Sequence, residues 1–140
     1  VPGRRVVSQQ SSDTIRKLLR LIVTDGTGKK ADVVGMRVGG KTGTAEKPGA
    51  GGYSRHVNVS TFAAAFPMDA PRYVVIAMLD APKGNAESYG LTTAAWTAAP
   101  VVSKVIARTG PMLGVFPDPS KDMQIDELRT LIWKDKAEAE

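Results

Sequence analysis

Residues 35–46, GMRVGGKTGTAE, place one lysine and two threonines among four glycines, and this grouping allows two kinds of chemistry. Gly35 to Thr42 satisfies the pattern G-x-x-x-x-G-K-[ST], in which backbone amides at a helix start and a lysine hold phosphate groups. On an edge strand the same residues would instead offer free backbone groups to an extended peptide. A lysine charge and two hydroxyls would then be available to a carboxylate.

The phosphate-loop interpretation requires a helix directly after Lys41 and Thr42. Gly43 and Pro48 follow instead, so a helix of useful length is not expected. The sequence therefore favours a strand, in which Gly43 lets a ligand backbone approach closely. Alternation puts Thr42 and Thr44 on one side of this strand and Lys41 on the other. All three serve one site only if the backbone twists locally.

A first helix is predicted to begin at Ser11 or Ser12, which are good N-caps, and to end at Asp25-Gly26. Apolar residues with helical spacing form one stripe along it, namely Ile15, Leu18, Leu19 and Ile22. The basic residues Arg16, Lys17 and Arg20 are expected on the solvated side.

Three antiparallel strands are predicted next in sequence, over about 37–46, 57–66 and 72–79. The glycine-rich segment 47–56 between the first two is predicted to be a long loop. Because the third segment is uniformly apolar, it is expected to be a central strand covered on both faces.

A second helix is predicted to begin at Thr92 or Thr93 and to run to about Arg108, with a kink or restart at Pro100. The order helix, three strands, helix predicts an α+β fold, an antiparallel sheet with helices packed on it. Residues 119–140 are predicted to be a tail with a possible short helix and a disordered end.

Composition excludes several functional classes. The chain has 140 residues, 42% of them hydrophobic, and a net charge of +5, as expected for one globular domain. Its basic residues are scattered and its aromatics are few, so nucleic-acid binding is not expected. There is no cysteine, and His56 is the single histidine, so neither a metal site nor a cofactor is predicted. The longest apolar run, 74–79, is too short to span a bilayer.

GKTGTAEK, residues 40–47, resembles the KTG motif of penicillin-binding proteins, in the form of class B transpeptidases. The surroundings match the family in order, since a helix precedes the motif and STFAAAFP and PRYVVIAMLDAPK follow it as strands. RTGPMLGVFPDP further resembles the division-specific, FtsI-like branch. The resemblance covers roughly residues 8–118, and residues 1–118 are identified as the C-terminal part of a transpeptidase domain.

This resemblance implies a peptidoglycan D,D-transpeptidase that cross-links D-Ala-D-Ala stem peptides during septal wall synthesis and is acylated by β-lactams. It implies that Lys41, Thr42, Gly43 and Thr44 bind substrate. Lys41 and Thr44 would be the catalytic residues: the lysine orients the substrate carboxylate and supports proton movement, and the backbone N–H of Thr44 forms half of the oxyanion hole.

None of the eight serines has Lys three residues later or Asn two residues later, so the chain carries neither S-x-x-K nor S-x-N. The nucleophile is therefore expected in an N-terminal remainder of the same protein, and this chain alone is expected to be inactive. The resemblance also implies a glycan-polymerising division partner and the periplasmic face of a bacterial inner membrane. A β-lactamase or D,D-carboxypeptidase relative and a noncatalytic interaction module remain as alternatives.

Overall fold

A three-stranded antiparallel sheet with helices on one face forms the fold in our computed structural model, which describes residues 3–49 and 52–132, without the side chains of 53–56. The main elements are helix α1 (Gln9–Thr24), strands β1 (Gly39–Gly49), β2 (Gly52–Phe66) and β3 (Tyr73–Asp80), and helix α2 (Ala98–Met112). Short 3-10 turns cover Lys29–Ala31, Pro119–Lys121 and Asp126–Leu131. The predicted α+β class is confirmed. No helix in the described ranges is long and apolar enough to cross a bilayer.

The core lies between the sheet and the two helices. Phe62, Ala64 and Phe66 alternate along β2 onto the covered face, where they meet Val23 of α1 and Val102 of α2. All five are at most 3% exposed. Burial of these side chains supplies the main stabilisation, at about 1.5–3 kcal/mol for each large one.

The predicted position of the third strand was wrong. In the described part of the chain the strand order is β1-β2-β3, so β3 is an edge strand there and β2 is the central one. Only one face of β3 is covered: Val74, Ile76 and Met78 are 70%, 65% and 68% exposed on the other. A uniformly apolar strand indicates two apolar faces, but it does not show what covers each of them.

The loop predicted over 47–56 is mostly strand. β1 continues to Gly49 and β2 begins at Gly52, and the two form a hairpin with a register shift between Glu46 and Lys47. Pro48 is tolerated there because β1 is an edge strand and needs no donor on its outer side. The other part of that loop, residues 50–51, lies outside the described ranges.

Helix α1 begins three or four residues earlier than predicted. The N-cap is Ser8, whose Oγ accepts a hydrogen bond from the backbone N–H of Ser11 at 3.0 Å. The solvated position expected for Arg20 was also wrong, because Arg20 is 5% exposed. The residues of the predicted apolar stripe are less buried than Arg20, and Ile15 among them is 51% exposed.

Helix α2 begins at Ala98, later than the predicted Thr92 or Thr93, and the Thr92 hydroxyl accepts from Asn58 instead of capping the helix. Pro100 lies in the first turn, where its missing N–H has no intrahelical partner to lose. In the following segment the predicted short helix is the 3-10 turn Asp126–Leu131. The disorder predicted from Lys134 falls outside the described residues, and the boundary at residue 119 stays a prediction.

Candidate active-site strand

β1 carries the KTG residues along the open edge of the sheet, and two glycines before them allow close packing. A Cβ on Gly39 would lie 3.2 Å from the backbone nitrogen of Arg20 in α1, and 2.3 Å from Cε of Met68. A Cβ on Gly40 would lie only 2.5 Å from the carbonyl oxygen of Ala63 in β2. Helix and strand therefore meet at the start of β1, and this contact fixes where the KTG residues begin.

The side chain of Lys41 crosses the edge of the strand. The register pairs Lys41 with Ala63 on the uncovered face and Thr42 with Phe62 on the covered face. The Lys41 ammonium nevertheless donates to Thr42 Oγ1 at 3.0 Å and to the Thr42 carbonyl at 2.9 Å. The lysine side chain is thus long enough to bring its ammonium to Thr42 although the two residues point to opposite faces. Lys41 itself is exposed.

Within the described residues, no carboxylate lies at ion-pair distance from Lys41, whereas Lys47 on the same strand pairs with Asp80 at 2.7 Å. A lysine charge that is exposed and not neutralised by a neighbour is suited to attract a carboxylate from a ligand. The same part of the chain contains no group of three His, Cys, Asp or Glu residues that could hold a metal ion.

Gly43 leaves open space beside Lys41. A Cβ at this position would meet nothing nearer than the Thr61 carbonyl oxygen at 3.8 Å, which is an ordinary contact. The fold therefore does not require glycine here, in contrast with Gly40. What the missing side chain provides is access to the backbone of an exposed edge strand.

The two threonines have different environments on the other face. Thr42 is half-buried, and its Oγ1 lies 3.3 Å from the hydroxyl of Thr27 in the segment after α1. Thr44 is exposed, and its Oγ1 accepts a hydrogen bond from the backbone N–H of Ala94 at 3.2 Å. Both hydroxyls keep further hydrogen-bonding capacity for a ligand.

The segment before α2 packs against β1 at Thr44 and against β2, a contact that the sequence did not reveal. Besides the bond to Thr44, the Thr92 hydroxyl accepts from Asn58 Nδ2 at 3.0 Å, and the Thr92 carbonyl accepts from Ser60 Oγ at 2.6 Å. The same threonine was predicted to cap a helix, because a hydroxyl before an apolar run gives that signal whichever partner it finds. The resulting geometry defines an edge strand suited to an extended ligand that bears a carboxylate.

Comparison with known proteins identifies the family of this chain. The sequence model described as "Penicillin binding protein transpeptidase domain" matches residues 1–103. The chain is 49% identical over 122 residues to the probable peptidoglycan D,D-transpeptidase FtsI of Caulobacter vibrioides, covering 81% of this chain and 21% of that protein. It is 40% identical over 117 residues to the stage V sporulation protein D of Bacillus subtilis, covering 84% of this chain and 17% of that protein.

Solved structures give the same result. The apo transpeptidase domain of penicillin-binding protein 3 from Burkholderia pseudomallei superposes with a TM-score of 0.70 at 34% identity, over 83% of this chain and 34% of that one. Penicillin-binding protein 3 of Mycobacterium tuberculosis, complexed with ampicillin, superposes with a TM-score of 0.68 at 35% identity, over 82% of this chain and 27% of that one. This chain belongs to the penicillin-binding protein transpeptidase family, in its FtsI-like class B branch. It spans about a fifth of the length of the curated relatives named above.

Proposed function

We propose that this chain supplies the KTG strand of a serine-type peptidoglycan D,D-transpeptidase that cross-links stem peptides during septal wall synthesis. The observation that carries the proposal is the exposed edge of β1, where the Lys41 ammonium and the Thr42 hydroxyl lie 3.0 Å apart beside the open position of Gly43. A stem peptide ending in D-Ala-D-Ala is extended and carries a terminal carboxylate, as this edge requires.

In the proposed reaction the nucleophile comes from the N-terminal remainder of the same protein. Its serine Oγ attacks the carbonyl of the penultimate D-Ala and forms an ester. The D-Ala-D-Ala peptide bond breaks, and the terminal D-Ala leaves with the serine proton on its amine. An amine from a neighbouring peptide strand then attacks the ester and releases the serine. Lys41 orients the substrate carboxylate and supports proton movement, Thr42 and Thr44 bind that carboxylate, and the Thr44 N–H contributes to the oxyanion hole.

β-Lactams are proposed as inhibitors of the same site, since the ring amide stands in for the D-Ala-D-Ala peptide bond and the β-lactam carboxylate for the substrate's carboxylate. Ampicillin is bound by the Mycobacterium tuberculosis protein to which this chain is similar. A glycan-polymerising division partner and a position on the periplasmic face of the inner membrane belong to the same proposal, and they rest on the FtsI name of the Caulobacter relative.

The uncovered sheet face supports the proposed N-terminal remainder. Val74, Ile76 and Met78 form a row of apolar side chains, each at least 65% exposed, on the face that carries Lys41. Contiguous exposed apolar surface of this kind marks a contact site. The chain corresponds to 34% of the Burkholderia transpeptidase domain, which leaves ample sequence to cover this face.

The test is labelling with a fluorescent penicillin, applied to this chain alone, to the chain mixed with the upstream part of its protein, and to the complete protein. We expect no label on the chain alone, label on the upstream part of the mixture, and loss of that label in Lys41→Ala. Rapid release of the label would favour a β-lactamase or carboxypeptidase. No labelling of the folded complete protein would refute the proposal in favour of a noncatalytic module.

A further inference from the structure

The segment that follows α2 returns across the molecule to the start of β1. The backbone N–H of Asp118 donates to the carbonyl of Gly35 at 2.8 Å. Val115 and Ile125 in the same segment are 4% and 6% exposed, so the segment is packed against the rest of the chain. Residues 114–132, here called the return segment, therefore contact the residues that precede the KTG strand.

Arg20 of α1 joins this return segment to β1. Its guanidinium donates to both carboxylate oxygens of Asp122, at 2.8 and 2.6 Å, and to Asp32 at 2.9 Å. The same Nη1 that binds Asp32 also donates to the backbone carbonyl of Val38 at 2.9 Å. Val38 is the last residue before β1 and lies three residues before Lys41.

A second guanidinium acts on the same short stretch. Arg37 is 5% exposed and has a positive φ of 53°, a backbone conformation uncommon for a residue with a side chain. It donates to the carbonyls of Gly35 and Asp118, at 2.7 and 2.8 Å, and to Asp69 at 2.5 Å. Residues 35–38 are therefore held on both sides by buried, paired charges, whose loss leaves unpaired groups behind.

Not every contact between α1 and the return segment reaches β1. Lys17 donates to Glu127 at 2.6 Å, but both side chains are far more exposed than Arg20, at 32% and 67%. In the described part of the chain, neither Lys17 nor Glu127 forms a hydrogen bond to residues 35–38. This pair provides a matched control, because it links the same two segments without contacting the strand.

We propose that Arg20 is a positioning residue for Lys41, held in place by Asp122 of the return segment, so that the C-terminal segment fixes where the KTG strand begins. This inference rests on the proposed transpeptidase function. Reactions of bound groups depend steeply on geometry, and a displacement of about 1 Å can cost roughly a hundredfold in rate. The bidentate pairing of Arg20 with Asp122 is the rigid form of such a contact.

The experiment uses the complete protein and measures acylation by a penicillin, separating the first-order acylation step from non-covalent binding. Asp122→Ala should slow the acylation step about tenfold or more, while the dissociation constant changes by about twofold or less. Arg20→Lys retains the charge but not the planar guanidinium, so its acylation rate should lie between those of the wild type and Asp122→Ala. Glu127→Gln should be acylated at the wild-type rate. If Asp122→Ala does not fold, Asp122→Asn replaces it.

Hydrogen exchange separates this inference from the proposed function. In Asp122→Ala, amides in residues 37–42 should exchange faster than in the wild type, while residues 59–66 and 73–80 keep their protection. Exchange that quickens equally over the whole sheet, or an unchanged acylation step, would overturn the positioning role. A wild-type protein that is never acylated would refute the proposed function alone, and the exchange pattern would still decide on Arg20.

Discussion

The ammonium of Lys41 lies 3.0 Å from Thr42 Oγ1, although the two residues belong to opposite faces of β1. This contact is possible because β1 is the edge strand, so that a long side chain can fold around its outer side without crossing a neighbouring strand. The charge and the hydroxyl are thereby adjacent. The pairing is the feature of the chain that most directly supports carboxylate binding.

Lys41→Arg tests whether this contact requires a compact ammonium. Arginine retains the charge, but its planar fork cannot reproduce the two bonds that Lys41 makes to Thr42, at 2.9 and 3.0 Å. We expect penicillin acylation of the complete protein to fall about tenfold or more, with little change in thermal stability because Lys41 is exposed. Lys104→Arg, at an exposed position on α2 outside the return segment, should label like the wild type. Normal labelling of Lys41→Arg would show that charge alone suffices.

Gly43→Ala should separate the access of a ligand to the edge of β1 from the stability of the fold. The added Cβ would have no contact shorter than 3.8 Å, so the free energy of unfolding should change by less than about 1 kcal/mol. A methyl group on the exposed edge would nevertheless obstruct a ligand backbone, and acylation should fall about tenfold or more. Urea unfolding and labelling of the same preparation measure both effects. Wild-type labelling of Gly43→Ala would mean that the ligand does not pass over this residue.

Gly40→Ala should show the opposite pattern. Its Cβ would lie 2.5 Å from the Ala63 carbonyl oxygen and 2.7 Å from Cε1 of Phe62, and neither the backbone nor the buried ring can move freely. We expect a loss of about 1–3 kcal/mol in the free energy of unfolding, the usual cost of overpacking. The measurement is a urea unfolding curve beside that of Gly43→Ala. Equal stability of the two variants would contradict the packing described for the start of β1.

Thr44→Val tests the contact between β1 and the segment before α2. The substitution preserves the shape but removes the acceptor for the N–H of Ala94, a residue that is 0% exposed. An unsatisfied buried donor costs about 1–3 kcal/mol, whereas Thr44→Ser should restore most of the stability. Unfolding in urea without ligand isolates this effect from substrate binding. A valine variant as stable as the wild type would show that Ala94 finds another partner.

The order of elements and the KTG strand could be predicted because both depend on local signals. Gly43 and Pro48 exclude a helix after Lys41, and the structure has a strand there. Helix and strand types follow from spacing, and antiparallel pairing follows from short connections between the strands. The motif GKTGTAEK identified the family together with the order of the elements around it, whereas nothing in the sequence predicted the hydrogen bonds that join Thr92 to β2.

What failed depends on partners distant in sequence. Arg20 follows the helical spacing of Arg16, yet it is buried because Asp32 and Asp122 converge on it from two other segments. The place of β3 in the sheet was wrong for a related reason, since an apolar strand is equally compatible with a central position and with an edge whose second face is covered from outside the chain.

Ile76→Asp tests whether that second face is covered in the complete protein. Ile76 is 65% exposed in this chain, and Val34, at 85%, is a matched exposed residue outside the sheet. If the N-terminal remainder packs against β3, Ile76→Asp should cost more than about 2 kcal/mol in the free energy of unfolding, because a carboxylate would be buried without a partner. Val34→Asp should stay within about 0.5 kcal/mol. A similarly small loss of unfolding free energy in both variants would refute the proposal that the N-terminal remainder covers this face of β3.

Asp122→Asn tests the pairing with Arg20 through its pH dependence. Burial alone would raise the pKa of the Asp122 carboxyl, but the hydrogen bonds and charge of Arg20 outweigh it, so the pKa lies below the ordinary value of 3.8. A carboxyl with a lowered pKa in the folded state stabilises the protein fully above its unfolded pKa and loses that contribution as the pH falls through the folded value. The wild type should therefore exceed Asp122→Asn in the free energy of unfolding at neutral pH, and the difference should shrink as the pH falls below 3.8. Urea unfolding of both proteins across this range measures it, with Glu87→Gln as a control because Glu87 is exposed and forms no ion pair in the described part of the chain. A difference that stays constant with pH would show that Asp122 acts through shape alone, without its charge.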